Sequence, residues 1–316
     1  MARFSRIKID GDTAWYHICA RVAGWLDWYP LDDPEAREHL EKLIRKYLNV
    51  FCCEAAAFCL MGNHYHLVLR FKAFKILPRS ELLRRARFLY KNPESVLVSD
   101  RHWERFNSRI HDMSELMRSL QAEYAKWYNS THNRRGSFWG ERFKSVLLGE
   151  GESVIDAILY VDLNPVRAGL VRKPEDWKWN SANRRIKNEA NWMIPLDQLL
   201  PEDSAFNVES LYKTLLYHRG GIEEARDSDS HRKTVFAMEG LRGFEYPGAF
   251  STRLGFFTNG LIIGSENQVR AWMGNRRIGQ LYKRRKKPLA HQIGKAFFYS
   301  LGGAITKKEL PLVAPS

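Results

Sequence analysis

Two histidines separated by one residue, His64 and His66, are the first groups in this sequence with the spacing for chemistry. In a strand, residues two apart project from the same face, so both imidazoles aim at one point while Tyr65 faces away. Two neutral imidazoles side by side form a partial site for a divalent cation. A second element, Tyr160-Val161-Asp162-Leu163-Asn164, lies within LYVDLNPVRAGLV. On a helix, Tyr160 and Asn164 stand one above the other at i and i+4. A phenol near a metal-bound phosphate can act as a nucleophile, because the cation stabilises the developing charge and favours phenolate. The side-chain oxygen of Asn164 could complete the metal site. Alternatively, Asn164 caps a new helix with Pro165 at its first position. A third element, NRRGSFWGERFKS from Asn133 to Ser145, interleaves cations with aromatics. Single-strand binders use that pattern, cations following phosphates and rings stacking on bases. The competing reading is a solvated basic hairpin with Phe138, Trp139 and Phe143 in the core.

These groups need a scaffold, and the flanking sequence predicts one. Tyr16, Ile18, Ala20 and Val22 alternate with His17, Cys19 and Arg21, the period of a half-buried strand. Asp33 and Pro34 offer an N-cap and first helical residue. Behind them Leu40, Leu43, Ile44, Tyr47 and Leu48 form an apolar helical stripe. The stretch from Ala55 to Phe71 ends in HYHLVLRF, which is rich in strand formers. Residues 72–111 are basic and irregular, a loop with short helical pieces. A helix begins at Asp112, with Glu115 three residues on, and stops near Asn129. Leu116, Met117, Leu120, Tyr124, Trp127 and Tyr128 share its face, which assigns the rival tyrosines Tyr124 and Tyr128 to the core. SFWGERFKSVLL supplies a short strand, and Glu152 to Leu163 another helix ended by Asn164-Pro165. Strands and helices in this order imply an α+β domain, a sheet layer covered on one face. We place one domain at 1–190 and a C-terminal extension, mixed helical with a basic tail, at 191–316. Within the extension, EEARDSDSHRK (223–233) is polar enough for a linker or exposed loop, and RRIGQLYKRRKKP (276–288) is densely basic.

Composition narrows the partner class. The 316 residues include 44% hydrophobic and 27% charged residues, which argues against disorder. Ten Trp, thirteen Tyr and seventeen Phe suit both a packed core and base stacking. Fifty Lys and Arg against thirty-six Asp and Glu give a formal charge of +14, which attracts polyanions. The start, MARFSRIKIDGD, lacks the apolar core of a signal peptide, and no run of about 18 apolar residues predicts a membrane span. Cys19, Cys52, Cys53 and Cys59 have neither zinc-ligand nor disulfide spacing. A cytoplasmic, nucleoid-associated location with reduced thiols is expected.

Taken together and in order, GNHYHLVL, YAKWYNSTHNRRGSFWGERFKS and LYVDLNPVRAGLV resemble the REP-associated tyrosine transposases, over roughly residues 10–185. These are single-tyrosine HUH transposases of insertion sequences that move as single-stranded DNA. The resemblance implies a ferredoxin-like antiparallel sheet with helices on one face, the histidine pair on a central strand and the tyrosine on a following helix. His64 and His66 match the HUH metal ligands, and Tyr160 matches the nucleophile. Asn164 sits where several relatives place Gln as a further metal-site residue, which leaves the third ligand open. Also implied are Mg²⁺ or Mn²⁺, hairpin (REP-like) single-stranded DNA, a transient 5′-phosphotyrosine with a free 3′-hydroxyl, and a monomer or homodimer. Local charge adds Arg135, Arg142, Lys144 and Arg167 as candidate DNA contacts. Three alternatives share part of this pattern: an HUH replication initiator or relaxase-type nickase, a non-catalytic nucleic-acid-binding protein of the same fold, and a metal-dependent nuclease using water.

Overall fold

Apolar residues alternate along the first strand, β1 (Ala14–Arg21), and each set finds a core. Tyr16, Ile18 and Ala20 enter one hydrophobic cluster, Trp15 enters another on the opposite face, and His17 is buried beside it. The computed structural model describes residues 6–9, 11–24, 28–200, 207–220, 257, 261–275, 278, 289–293 and 296–301.

Asp33 caps α1 (Pro34–Val50), its carboxylate accepting from the Glu35 N–H, and proline stands in the first turn as expected. Leu40, Leu43, Ile44 and Tyr47 are buried against the sheet. β2 (Cys53–Leu60) and β3 (His64–Phe71) then pair antiparallel. The sequence reading merged these two strands, because CEAAAFCL is buried nearly throughout and shows no alternation. Gly62 lies in the turn between them, where a Cβ would meet Asp32 Oδ1 at 2.6 Å and the Tyr29 ring at 2.9 Å. The basic stretch that follows carries α2 (Arg79–Ala86), α3 (Pro93–Val96) and α4 (Asp100–Ile110). Asp112 then caps α5 (Met113–Thr131), accepting from the N–H groups of Ser114 and Glu115. That helix runs two residues past the expected stop, and β4 (Lys144–Leu148) follows it.

The α+β class holds. The strands order as β2-β3-β1-β4, all antiparallel, with α1 and α5 packed on one face through Leu40, Leu116, Leu120 and Tyr124. That is the ferredoxin-like arrangement. Coverage of a single face is where the expectation departs from the structure. α6 (Glu152–Asp162) lies on the other face, with α7 (Asn164–Arg167), α8 (Ser181–Ile186) and α9 (Val208–Gly220) after it. The strand register explains why: Trp15, Val68, Val146 and Leu148 all point to that side, and leaving them in water would forfeit their burial. β1 is therefore covered on both faces rather than half-buried.

Residues beyond 190 continue the same sheet. Ile194 N donates to Ala55 O, and β5 (Ile262–Gly264) runs parallel to β4. After it come α10 (Glu266–Gly274), β6 (Leu289–Ile293) and β7 (Ala296–Leu301), and among the described residues the sheet has seven strands in the order β2-β3-β1-β4-β5-β7-β6. The segment 223–233 lies outside the described residues, as does 276–288 apart from Ile278. Cys52, Cys53 and Cys59 are buried and Cys19 is half-buried, and none of the four forms a disulfide. Among the described residues no helix is long and apolar enough to cross a membrane.

Candidate active site

The face that α6 covers changes character along β1. Trp15 pairs across to Leu148 and His17 to Val68 and Val146, but Cys19 pairs to His66 and Lys144, and Arg21 to His64. One end is apolar and holds the helix. The other is polar and opens into a cleft of about 460 Å³ lined by His64, His66, Tyr160 and Asn164. Tyr65 points the opposite way, fully buried in the core beneath α5, as the two-residue period predicts.

The imidazole tautomers are assigned from their hydrogen-bond partners. His64 Nδ1 lies 2.7 Å from Asn63 Oδ1, an acceptor only, so Nδ1 carries the proton and the lone pair is on Nε2. His66 Nδ1 lies 2.9 Å from His17 Nε2, and His17 Nδ1 lies 2.6 Å from the carbonyl oxygen of Phe257. Burial drives the His17 pKa down to about 4, so this ring is neutral near pH 7. The His64 and His66 rings stand nearly perpendicular, centroids 5.1 Å apart.

Tyr160 reaches this pair from the last turns of α6. Its ring is edge-on to His66 at 6.2 Å and to His17 at 5.9 Å, and it stacks on Phe257 at 4.5 Å. Arg167 returns from α7 to place its guanidinium carbon 4.1 Å from the Tyr160 ring centre while donating to the Tyr160 carbonyl at 2.7 Å. Asn164 is buried, and its Nδ2 donates to the carbonyl oxygens of Tyr160 and Val161. Its alternative role as a cap is not realised. Leu163 precedes α7 in helical conformation with no side-chain cap bond, because the chain passes from α6 into α7 without an extended residue. With the amide nitrogen turned toward α6, Oδ1 is the end of the carboxamide that could meet a cation.

Arg142 and Lys144 line the cleft with Arg167, while Arg135 sits exposed in the loop after α5 and does not. Arg21 also lines the cleft and was missed by the sequence reading, since only the β1–β3 register places it opposite His64. His17 was read as one member of a polar alternation and given no role. Its signal, a histidine at the same parity as Cys19 and Arg21, was present but needed the register to become legible. The aromatic residues of the third element belong to the core rather than to stacked bases. Phe138 and Phe143 are buried, and the half-buried Trp139 donates through Nε1 to the Gln121 carbonyl at 2.8 Å. Tyr124 and Tyr128 are core residues as expected, the Tyr124 hydroxyl donating to Ala36 O at 3.1 Å.

Asp162 anchors the helix that carries Tyr160. Fully buried, its carboxylate accepts from Ser181 Oγ, from Ala182 N at 3.1 Å and from the Tyr212 hydroxyl at 2.5 Å, tying α6 to α8 and α9. Burial pushes its pKa up from 3.8 to about 6. The folded chain thus holds this proton more tightly than the unfolded chain. Its contribution to stability is full below pH 3.8, is lost as pH rises toward 6 and is flat above. Asp162→Asn keeps an acceptor for Ser181 and Ala182 and has no proton to lose. Urea unfolding at acid and neutral pH should therefore show the variant gaining on the wild type by on the order of 2–3 kcal/mol between these limits.

No family model matches the chain. Over 136 residues it is 22% identical to a Haemophilus influenzae protein described as "Putative REP-associated tyrosine transposase". The chain is similar to the REP-associated tyrosine transposases. The match covers 43% of this chain and spans 62% of that transposase, less than two thirds of its length. A solved structure of a REP-associated tyrosine transposase bound to a REP hairpin aligns with a TM-score of 0.40 and 16% identity, covering 66% of this chain and 93% of that one. GNHYHLVL and LYVDLNPVRAGLV meet at the cleft, and the end of YAKWYNSTHNRRGSFWGERFKS also lines it through Gly140, Glu141, Arg142 and Lys144.

Proposed function

We propose that this chain is a transposase that cuts and rejoins single-stranded, hairpin-bearing DNA through Tyr160. One observation carries the reading: a single cleft joins the paired imidazoles of β3 to the phenol of α6 and surrounds them with Arg21, Arg142, Lys144 and Arg167. A cleft of that charge suits a phosphodiester. A pair of imidazoles on a strand opposite a buried helical tyrosine suits nucleophilic transfer to a phenol better than nucleic-acid binding alone.

The donor set fits a divalent cation. His64 and His66 would each offer Nε2, and Asn164 would offer Oδ1, leaving further positions for phosphate oxygen and water. Among the described residues no group of three or more His, Cys, Asp or Glu gathers for a metal, so this set has no carboxylate. Imidazole-rich sites favour Mn²⁺ over Mg²⁺. When bound, such a cation supplies Lewis-acid polarisation of a phosphate oxygen.

The chain's own groups do the rest. Tyr160 Oη gives up its proton to solvent and attacks phosphorus in line. The Oη–phosphorus bond forms, the bond to the 3′-oxygen breaks, and that oxygen takes a proton from solvent and leaves as a hydroxyl. Arg167 lies against the Tyr160 ring, where its positive charge favours the phenolate that attacks. Arg21, Arg142 and Lys144 hold the flanking phosphates. The phosphotyrosine conserves the bond energy, so a second 3′-hydroxyl reverses the step without ATP. A denaturing gel of the protein with hairpin-bearing single-stranded oligonucleotides tests this. A protein band shifted by DNA with Mn²⁺ or Mg²⁺ and absent with EDTA is expected. Cleavage without a shifted band points to water as the nucleophile, and binding without cleavage points to a non-catalytic module.

A further inference from the structure

His17 has no part in that scheme, yet it is buried between the two halves of the site. The Phe257 carbonyl can only accept, so the 2.6 Å contact places the proton on His17 Nδ1. A neutral imidazole has one N–H, which makes His17 Nε2 an acceptor. The 2.9 Å contact from that atom to His66 Nδ1 then requires His66 to be the donor. A neutral His66 donating from Nδ1 has its lone pair on Nε2. The rings are nearly parallel, centroids 5.0 Å apart at 16°, so His66 has little freedom to turn.

We infer that His17 is a positioning residue: it fixes His66 in the Nδ1–H tautomer and so prepares Nε2 to bind a divalent cation. The inference rests on the metal reading proposed above. His64 receives the same tautomer from its neighbour Asn63, but His66 receives it through a relay that ends at the Phe257 carbonyl, 240 residues from His17. Phe257 therefore acts twice, its carbonyl orienting the histidine pair through His17 and its ring stacking on Tyr160. Phe257, a residue outside the ferredoxin-like unit, thus touches both halves of the site. Partners of this kind, one bond behind a metal-binding histidine, typically change metal affinity 10- to 100-fold.

Two variants separate this role from simple packing. His17→Phe keeps a ring and removes the acceptor. His17→Gln keeps both functions, an amide N–H for Phe257 O and an oxygen for His66. The full-length, metal-free protein is studied first by long-range ¹⁵N–¹H NMR of its imidazoles at pH 7.5. Wild type and His17→Gln should show His66 as the Nδ1–H tautomer, and His17→Phe should shift it to a mixture or to Nε2–H. Mn²⁺ titration followed by electron paramagnetic resonance should then show a 10- to 100-fold loss of affinity for His17→Phe and near wild-type binding for His17→Gln. An Nε2–H tautomer in the wild type, or an unchanged His66 spectrum in His17→Phe, overturns the inference. Should His17→Phe fail to fold, the wild-type tautomer and the His17→Gln affinity still decide it. A wild type that binds no Mn²⁺ overturns the metal reading instead, while the metal-free spectra still decide the role of His17.

Discussion

Tyr160→Phe should abolish the protein–DNA adduct and lower strand cleavage by at least about 10³-fold, while leaving hairpin binding nearly unchanged. The substitution removes one oxygen. The ring that stacks on Phe257 and lies under Arg167 is retained, so the fold and the charged cleft persist. Among the described residues no other tyrosine lines the cleft, because Tyr124 and Tyr128 belong to the core on the opposite face of the sheet. Tyr124→Phe and Tyr128→Phe should therefore keep full adduct formation. The Tyr124 variant should lose only the hydrogen bond to Ala36 O, roughly 0.5–1.5 kcal/mol of stability in thermal or urea unfolding. Retained cleavage in Tyr160→Phe would assign the attack to water.

The second large effect falls on the histidine pair. His64→Ala should weaken Mn²⁺ binding and metal-supported cleavage by more than about 100-fold, since one of the two proposed imidazole ligands is gone. His66→Ala should do the same but also leave His17 Nε2 buried without its donor, at a further cost of about 1–3 kcal/mol in stability. His64, half-buried at the edge of the cleft, is thus the cleaner test of metal dependence. Calorimetric Mn²⁺ titration of both variants, beside thermal unfolding, measures the two effects separately. Equal metal affinity in wild type and His64→Ala would remove the histidine pair from the metal site.

What the sequence disclosed was local, and what it hid was pairing. The caps at Asp33 and Asp112 work through their next two or three residues, so their signals survive in one dimension. The same holds for His64 and His66, whose common face follows from the period of a strand, and for the stripe that places Tyr124 and Tyr128 in the core. Arg21 was invisible because its place beside His64 depends on how β1 registers against β3. β2 was merged with β3 because a strand covered on both faces loses its alternation. The rings of Phe138, Trp139 and Phe143 answer to the core, although cations beside aromatics read equally well as a base-stacking surface. Asn164 shows the limit from another side. Asn-Pro is a strong cap signal, yet the chain passes from α6 to α7 without the extended residue that a cap needs. Least legible was the relay through His17 to the Phe257 carbonyl, since backbone carbonyls carry no sequence signature at all.

One particular phenol, that of Tyr160, is expected to carry the DNA. Adduct formed with hairpin-bearing DNA and Mn²⁺ can be digested with nuclease and trypsin and analysed by mass spectrometry. Tyr160 lies in the tryptic peptide Ser145–Arg167, which contains no other tyrosine. A phosphonucleotide is expected on that peptide, at Tyr160, joined through the 5′-phosphate. A nucleotide on a peptide carrying Tyr124 or Tyr128, or cleaved DNA with no modified peptide, would contradict it.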